Sequence, residues 1–113
     1  MSTEIYKDKG ATIEQRVDDL FKRMTLEEKI AQLCGVWKEA ASFLDEEKHI
    51  IPEKAAKEHP HGIGQIARAF EGLSAYDMAQ RTNEIQKYFI ENTRLGIPVL
   101  YHEECLHGVM EFD

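Results

Sequence analysis

The sequence predicts an α/β fold, because a strand, a helix and a second strand follow one another over residues 63–102. The first strand is expected at residues 63–67, within the glycine-bounded run GIGQI. A long amphipathic helix should run from Ser74 to near Asn92, with a glycine and a proline just beyond it as stop signals. The apolar run IPVLYH is typical of a strand buried on both faces. A strand–helix–strand unit of this length predicts parallel strands.

Two amphipathic helices are predicted ahead of this unit. The second starts with a capping box, in which Thr25 caps the helix and Glu28 reaches back to its amide, and its apolar side is expected to continue to Trp37. A charged stretch over residues 38–61 then predicts a loop and a short helix entered near Pro52. The first helix should start near Thr12, and its apolar stripe is typical of core packing: Ile13, Val17, Leu20, Phe21 and Met24.

Length and composition limit the class of protein. With 113 residues, 42% hydrophobic and 31% charged, the chain is at most one small domain or part of a larger one. The net charge of −7 opposes phosphate backbones and anionic lipids, so neither a nucleic-acid nor a membrane partner is expected. No signal peptide or apolar span is visible, which predicts a cytoplasmic location. The two cysteines form no CxxC pair, and no cofactor is expected.

The candidate site is the segment YHEECLHG, residues 101–108, directly after the last predicted strand. A zincin motif needs two histidines four residues apart, whereas His102 and His107 are five apart and would lie about 140° apart on a helix. A nonhelical metal site from this segment stays open. A nucleophile pair of Cys105 and His107 would need an oxyanion hole and an orienting group as well.

A third interpretation of this segment is a substrate site. Loops that follow the strands of parallel barrels carry the chemistry of those folds. The carboxylate of Glu104 can accept hydrogen bonds from two adjacent hydroxyls, as on the rim of a sugar ring. Alternatively, Glu104 caps the following turn and the histidines satisfy buried backbone groups. The residues alone leave both interpretations open.

Three segments, RMTLEEKIAQL, GIGQI and RLGIPVLYHEECLHGV, resemble in this order the opening of the family 3 glycoside hydrolases, the β-glucosidase and β-xylosidase group. The resemblance implies the N-terminal part of a TIM (β/α)8 barrel. Its helical lead-in would occupy residues 12–60, its first strand–helix–strand unit residues 62–102, and its substrate loop residues 102–110. The implied activity is retaining, exo-acting hydrolysis of terminal β-linked glucose or xylose from oligosaccharides or other β-glycosides.

The resemblance assigns a role to few residues. Glu104 matches the acidic position that binds hydroxyls of the non-reducing sugar. His107 and Gly108 belong to the motif and are expected to support the loop, while Arg68 has a possible place at the rim of the site. The family's aspartate nucleophile and its acid/base have no match here, so no catalytic residue is expected in these 113 residues. No residue is assigned as a metal ligand either.

The chain is therefore expected to be an N-terminal fragment whose partners are the rest of the barrel and a sandwich domain. On its own it should be inactive and prone to aggregation, since an incomplete barrel exposes apolar strand faces and an unpaired edge. The alternative is a small non-enzymatic binding or assembly module.

Overall fold

The computed structural model describes residues 4–37, 42–68, 70, 72–104 and 106. Within these residues the chain forms a three-stranded parallel sheet and four α-helices, which confirms the α/β class. The helices are α1 (Ile13–Arg23), α2 (Leu26–Leu33), α3 (Pro52–Glu58) and α4 (Ala75–Asn92), and a 3-10 turn (Ile5–Lys7) precedes them. The strands are β1 (Gly35–Trp37), β2 (Gln65–Ala67) and β3 (Leu100–His102).

Side-chain caps fix the starts of the three longest helices. The Thr12 hydroxyl accepts a hydrogen bond from the Gln15 amide at 3.3 Å, and the Gln15 side chain accepts one from the Thr12 amide at 3.0 Å. Thr25 and Glu28 form the same reciprocal pair at 3.2 and 2.8 Å. Ser74 caps α4 by accepting from the amide three residues on. Each cap satisfies amides that the helix leaves unpaired, and the predicted starts are confirmed.

The sheet contains a strand that the sequence analysis missed. Trp37 was expected to continue the second helix, but α2 ends at Leu33 and Cys34 is already extended, with φ −93° and ψ 144°. Gly35, a weak helix former, then opens β1. The strand predicted at residues 63–67 is shorter, at Gln65–Ala67, and it is the second strand of the sheet rather than the first.

All three strands run parallel in the order β1, β2, β3, as predicted for the strand–helix–strand unit. Val36, Ile66 and Tyr101 form the middle row, and all three belong to or pack against the core beneath the sheet. The Gln86 side chain of α4 accepts from the Val99 amide at 2.9 Å and donates to its carbonyl at 2.6 Å, which fixes the approach to β3. The core consists of Phe43, Ala55, Ile63, Ile66, Phe70, Ile85, Phe89 and Val99.

The other face of the sheet is largely open. Leu100 is 62% exposed and Trp37 41% exposed, and His102 is exposed as well. The prediction that the last strand is buried on both faces is therefore wrong for this chain, because the side of β3 that carries Leu100 and His102 is exposed.

A second open apolar surface lies on α1 and α2, where core packing was expected. We call it the leading-helix face, and its six members are 52–85% exposed: Ile13, Val17, Phe21, Leu26, Ile30 and Leu33. No residue of α1 is buried, although Leu20 is half-buried. Among the described helices, none is both long and apolar enough to cross a membrane.

An ion pair ties the start of α2 to the segment that leads into β3. Glu28 is buried, and its carboxylate accepts hydrogen bonds from the Arg94 guanidinium at 2.8 and 2.5 Å. Arg94 also donates to the Arg23 carbonyl at 2.7 Å, which joins it to the end of α1. The Arg94 hydrogen bonds hold the pKa of Glu28 below its ordinary value. The capping glutamate therefore has a long-range role as well as a local one.

Candidate substrate-binding edge

The carboxyl ends of the three strands meet at one edge of the sheet. Trp37 ends β1 and pairs in register with Ala67, and Ala67 pairs with His102 of β3. Arg68 follows this row on the second strand and Glu103 follows it on the third. In folds built on parallel strands, this edge is where substrate sites are formed.

Arg68 joins the three strand ends. Its guanidinium nitrogen Nη1 lies 3.4 Å from Oε2 of Glu104, and its Nε lies 4.0 Å from Oε2 of Glu103. Its guanidinium carbon lies 5.5 Å from the centroid of the Trp37 ring, within the range of a cation–π contact. Its amide donates to the carbonyl of His102 at 3.4 Å. Arg68 and Glu104, predicted as site residues from distant segments, are thus brought together.

The backbone of Arg68 is in the left-handed region, with φ 51°. A residue with a Cβ adopts this conformation at a cost of about 1–3 kcal/mol, and such residues are concentrated at functional sites. Arg68 adopts this conformation immediately after β2, at the position from which its side chain reaches both carboxylates. The surrounding contacts therefore hold a backbone conformation that the residue alone would disfavour.

A cleft of about 190 Å³ opens beside this edge, between the ends of β2 and β3 and the first turns of α4. Tyr101 lines this cleft, and its hydroxyl is buried and without a hydrogen-bond partner among the described residues. Burial raises the pKa of Tyr101 well above its ordinary value. The remaining lining residues are Arg68, Phe70, Met78, Thr82, His102 and Glu103.

The carboxylate of Glu104 is directed to solvent as well as to Arg68. Its side chain is 62% exposed, while that of Arg68 is 31% exposed. Among the described residues, Arg68 contacts one oxygen of this carboxylate, at 3.4 Å, which leaves further acceptor positions for a ligand. An incoming molecule with hydroxyl groups could therefore reach Glu104 while Arg68 holds the carboxylate in place.

Part of the predicted site lies outside the described residues, namely His107, Gly108 and Cys105. In the part of the chain that is described, no three His, Cys, Asp or Glu side chains are grouped as metal ligands. Trp37 was missed as a site residue because it was assigned to a helix. The signal that could have placed it is the GVW triplet, in which a glycine breaks the helix and a β-branched and an aromatic residue follow.

Curated relatives match almost the whole chain. It is 37% identical over 92% of its length to a protein of Formosa agariphila named as a β-xylosidase. It is 35% identical over 97% of its length to a β-glucosidase C of Aspergillus oryzae, and 32% identical over 95% to a β-glucosidase C of Emericella nidulans. The chain spans 14%, 17% and 17% of the lengths of these three relatives. No protein-family profile matches it.

A solved structure agrees with these relatives. The chain superposes on a β-glucosidase of Erythrobacter marinus, EmGH1, with a TM-score of 0.74 and 27% sequence identity. The match covers 98% of this chain and 14% of the other.

Proposed function

We propose, from the homology of this chain to β-xylosidases and β-glucosidases, that it is part of a retaining β-glycosidase of family 3 that releases terminal β-linked glucose or xylose. The sequence relatives are named as a β-xylosidase and a β-glucosidase, and both names denote glycoside hydrolases. The family 3 assignment is supported by the motif LGIPVL followed by HEE and LHG.

The observation that carries the proposal is the placement of Glu104. It follows β3 at the carboxyl edge of a parallel sheet, it is exposed, and Arg68 pairs with it. A carboxylate with open acceptor positions can bind two neighbouring hydroxyls of a sugar through charge-assisted hydrogen bonds. We assign Glu104 to the hydroxyls of the non-reducing terminal sugar.

The catalytic carboxylates are proposed to lie elsewhere in the complete polypeptide. A retaining glycosidase needs a nucleophile and an acid/base about 5 to 5.5 Å apart, on either side of the glycosidic bond. Glu103 and Glu104 are adjacent in sequence and both approach the guanidinium of Arg68, so their geometry suits binding rather than a nucleophile and acid pair. The chain alone is accordingly proposed to be inactive.

The three strands are proposed to be the first strands of a (β/α)8 barrel. Their sequential parallel order is that of such a barrel, and the face that carries Trp37 and Leu100 would line its interior. The openness of that face and of the leading-helix face supports this arrangement, because the remaining strands and helices would cover them. The chain spans 14% of the length of the Formosa relative, so a polypeptide of that length has enough further residues to form those elements.

The test is hydrolysis by the complete polypeptide of 4-nitrophenyl β-D-xylopyranoside and β-D-glucopyranoside. We expect at least one to be cleaved, with proton NMR showing the β-anomer as the first-formed sugar. An α-anomer formed first would contradict the retaining mechanism alone. No cleavage of either substrate would contradict the glycosidase assignment and favour a binding or assembly module.

A further inference from the structure

We propose that Trp37 is a sugar-contacting residue of this site, and that Arg68 positions its indole together with the Glu104 carboxylate. This inference rests on the proposed function and adds to it the group that recognises the apolar face of the sugar.

The register of the sheet places Trp37 at the same carboxyl edge as the segment that carries Glu104, with β2 between them. Trp37, Ala67 and His102 are directly paired neighbours across the three strands. The middle residue of this row, Ala67, has a small side chain that is buried. Trp37 is 41% exposed, on the face of the sheet on which Leu100 is 62% exposed. An indole with this exposure, next to a substrate edge, is accessible to a ligand.

Arg68 links the Trp37 indole to the Glu104 carboxylate. Its planar guanidinium contacts the Trp37 ring and the Glu104 carboxylate, with distances of 5.5 Å to the ring centroid and 3.4 Å to the carboxylate oxygen. Because one guanidinium contacts both side chains, it should restrict their motion and so lower the entropy lost when a ligand binds. The left-handed backbone at Arg68 places the guanidinium there, at an energetic cost that simple surface pairing does not require.

The two groups match the two surfaces of a pyranose. In β-linked glucose and xylose the hydroxyls form an equatorial rim, and the ring C–H bonds form an apolar face. The Glu104 carboxylate suits the rim, and a rigid indole suits the apolar face. Ligand pockets generally combine aromatic walls with a few placed polar groups. Contact with the indole would be made by ground state and transition state alike, so it should affect KM more than kcat.

A second cation–aromatic pair supplies a matched control. On the leading helices, Lys29 Nζ lies 3.9 Å from the centroid of the Phe21 ring. Phe21 is on the leading-helix face, and α2 leads into the end of β1 opposite to the one that carries Trp37. If any aromatic ring beside a cation affected KM, substitution of Phe21 and of Trp37 would change KM equally.

The experiment compares steady-state kinetics of the complete polypeptide and its variants on 4-nitrophenyl β-D-xylopyranoside and β-D-glucopyranoside. Trp37→Leu is expected to raise KM by about tenfold with a smaller change in kcat, while Phe21→Leu leaves KM unchanged. Trp37→Phe keeps a smaller ring and should raise KM by about threefold. Circular dichroism shows whether each variant folds, and if the leucine variant at Trp37 does not, the phenylalanine variant decides.

If Arg68 positions Trp37, the effects of substituting the two residues on KM should not be additive. Arg68→Lys keeps the charge but loses the planar stacking group, so it too should raise KM. In this background Trp37→Leu should raise KM by clearly less than tenfold, because the two residues act as one unit. Additive effects on KM would overturn the positioning role.

The outcomes separate this inference from the proposed function. Cleavage by the wild type with an unchanged KM in Trp37→Leu, or in Trp37→Phe if that variant decides, overturns the role of Trp37 and leaves the glycosidase assignment intact. A wild type that cleaves neither substrate overturns the proposed function and this inference with it.

Discussion

The leading-helix face should make the isolated chain self-associate. Full burial of an aliphatic or aromatic side chain contributes about 1.5–3 kcal/mol, and the six residues of this face are 52–85% exposed. Each side chain therefore stands to contribute about 1–2 kcal/mol when a partner surface covers it. Replacing two of them with lysine should weaken association by about 2–4 kcal/mol, or about 30- to 700-fold in Kd.

The variant to make is Val17→Lys with Ile30→Lys, which places one charge on each leading helix. Lysine has a helix propensity at least equal to that of valine or isoleucine, so both helices should persist. The matched control, Gln80→Lys with Asn83→Lys, adds the same charge at exposed polar positions of α4. Sedimentation velocity over a concentration series should show wild type and control associating, and the first variant as a monomer. A monomeric wild type at about 100 μM would refute the reasoning.

Two further predictions concern the stability of the fold. Both are best measured in the variant that carries Val17→Lys and Ile30→Lys. Because hydrogen bonds from Arg94 depress the pKa of Glu28, the pair stabilises the fold above the unfolded pKa near 4.5 and loses this effect as pH falls through the lower folded value. Arg94→Met should therefore flatten the fall of the thermal midpoint on acidification, and an unchanged acid profile would argue against the pair. A Cβ at Gly64 would lie 2.1 Å from the backbone oxygen of Gln32, so Gly64→Ala should destabilise by about 1–3 kcal/mol or more in urea unfolding. Gly10→Ala, where the Cβ meets only a flexible side-chain atom at 3.3 Å, is the control, and equal midpoints would contradict the packing.

Features that depend on nearby residues could be predicted from the sequence. The caps at Thr12, Thr25 and Ser74 are determined within one helical turn, and all three lie where their sequence signals placed them. The periodicity of α4 extends over eighteen residues, so both of its ends were found closely. In each case the energy that fixes the element comes from residues that the sequence shows side by side.

Features that depend on distant residues could not be predicted. β1 is only three residues long and acquires its identity by pairing with Gln65–Ala67. The exposure of Leu100 depends on what covers the far side of the sheet, which a local apolar pattern does not reveal. The link from Arg68 to Trp37 arises only when the strand ends meet.

The central claim is that Glu104 binds the hydroxyls of a sugar in a β-glycosidase, and the direct measurement is kcat/KM of the complete polypeptide with Glu104→Ala. Losing charge-assisted hydrogen bonds of about 1.5–3 kcal/mol each to two hydroxyls should lower kcat/KM by at least about a hundredfold on aryl β-xyloside or β-glucoside. Glu47→Ala, at an exposed glutamate on the loop before α3, should leave it unchanged. A kcat/KM for Glu104→Ala equal to that of the Glu47→Ala control would contradict the account.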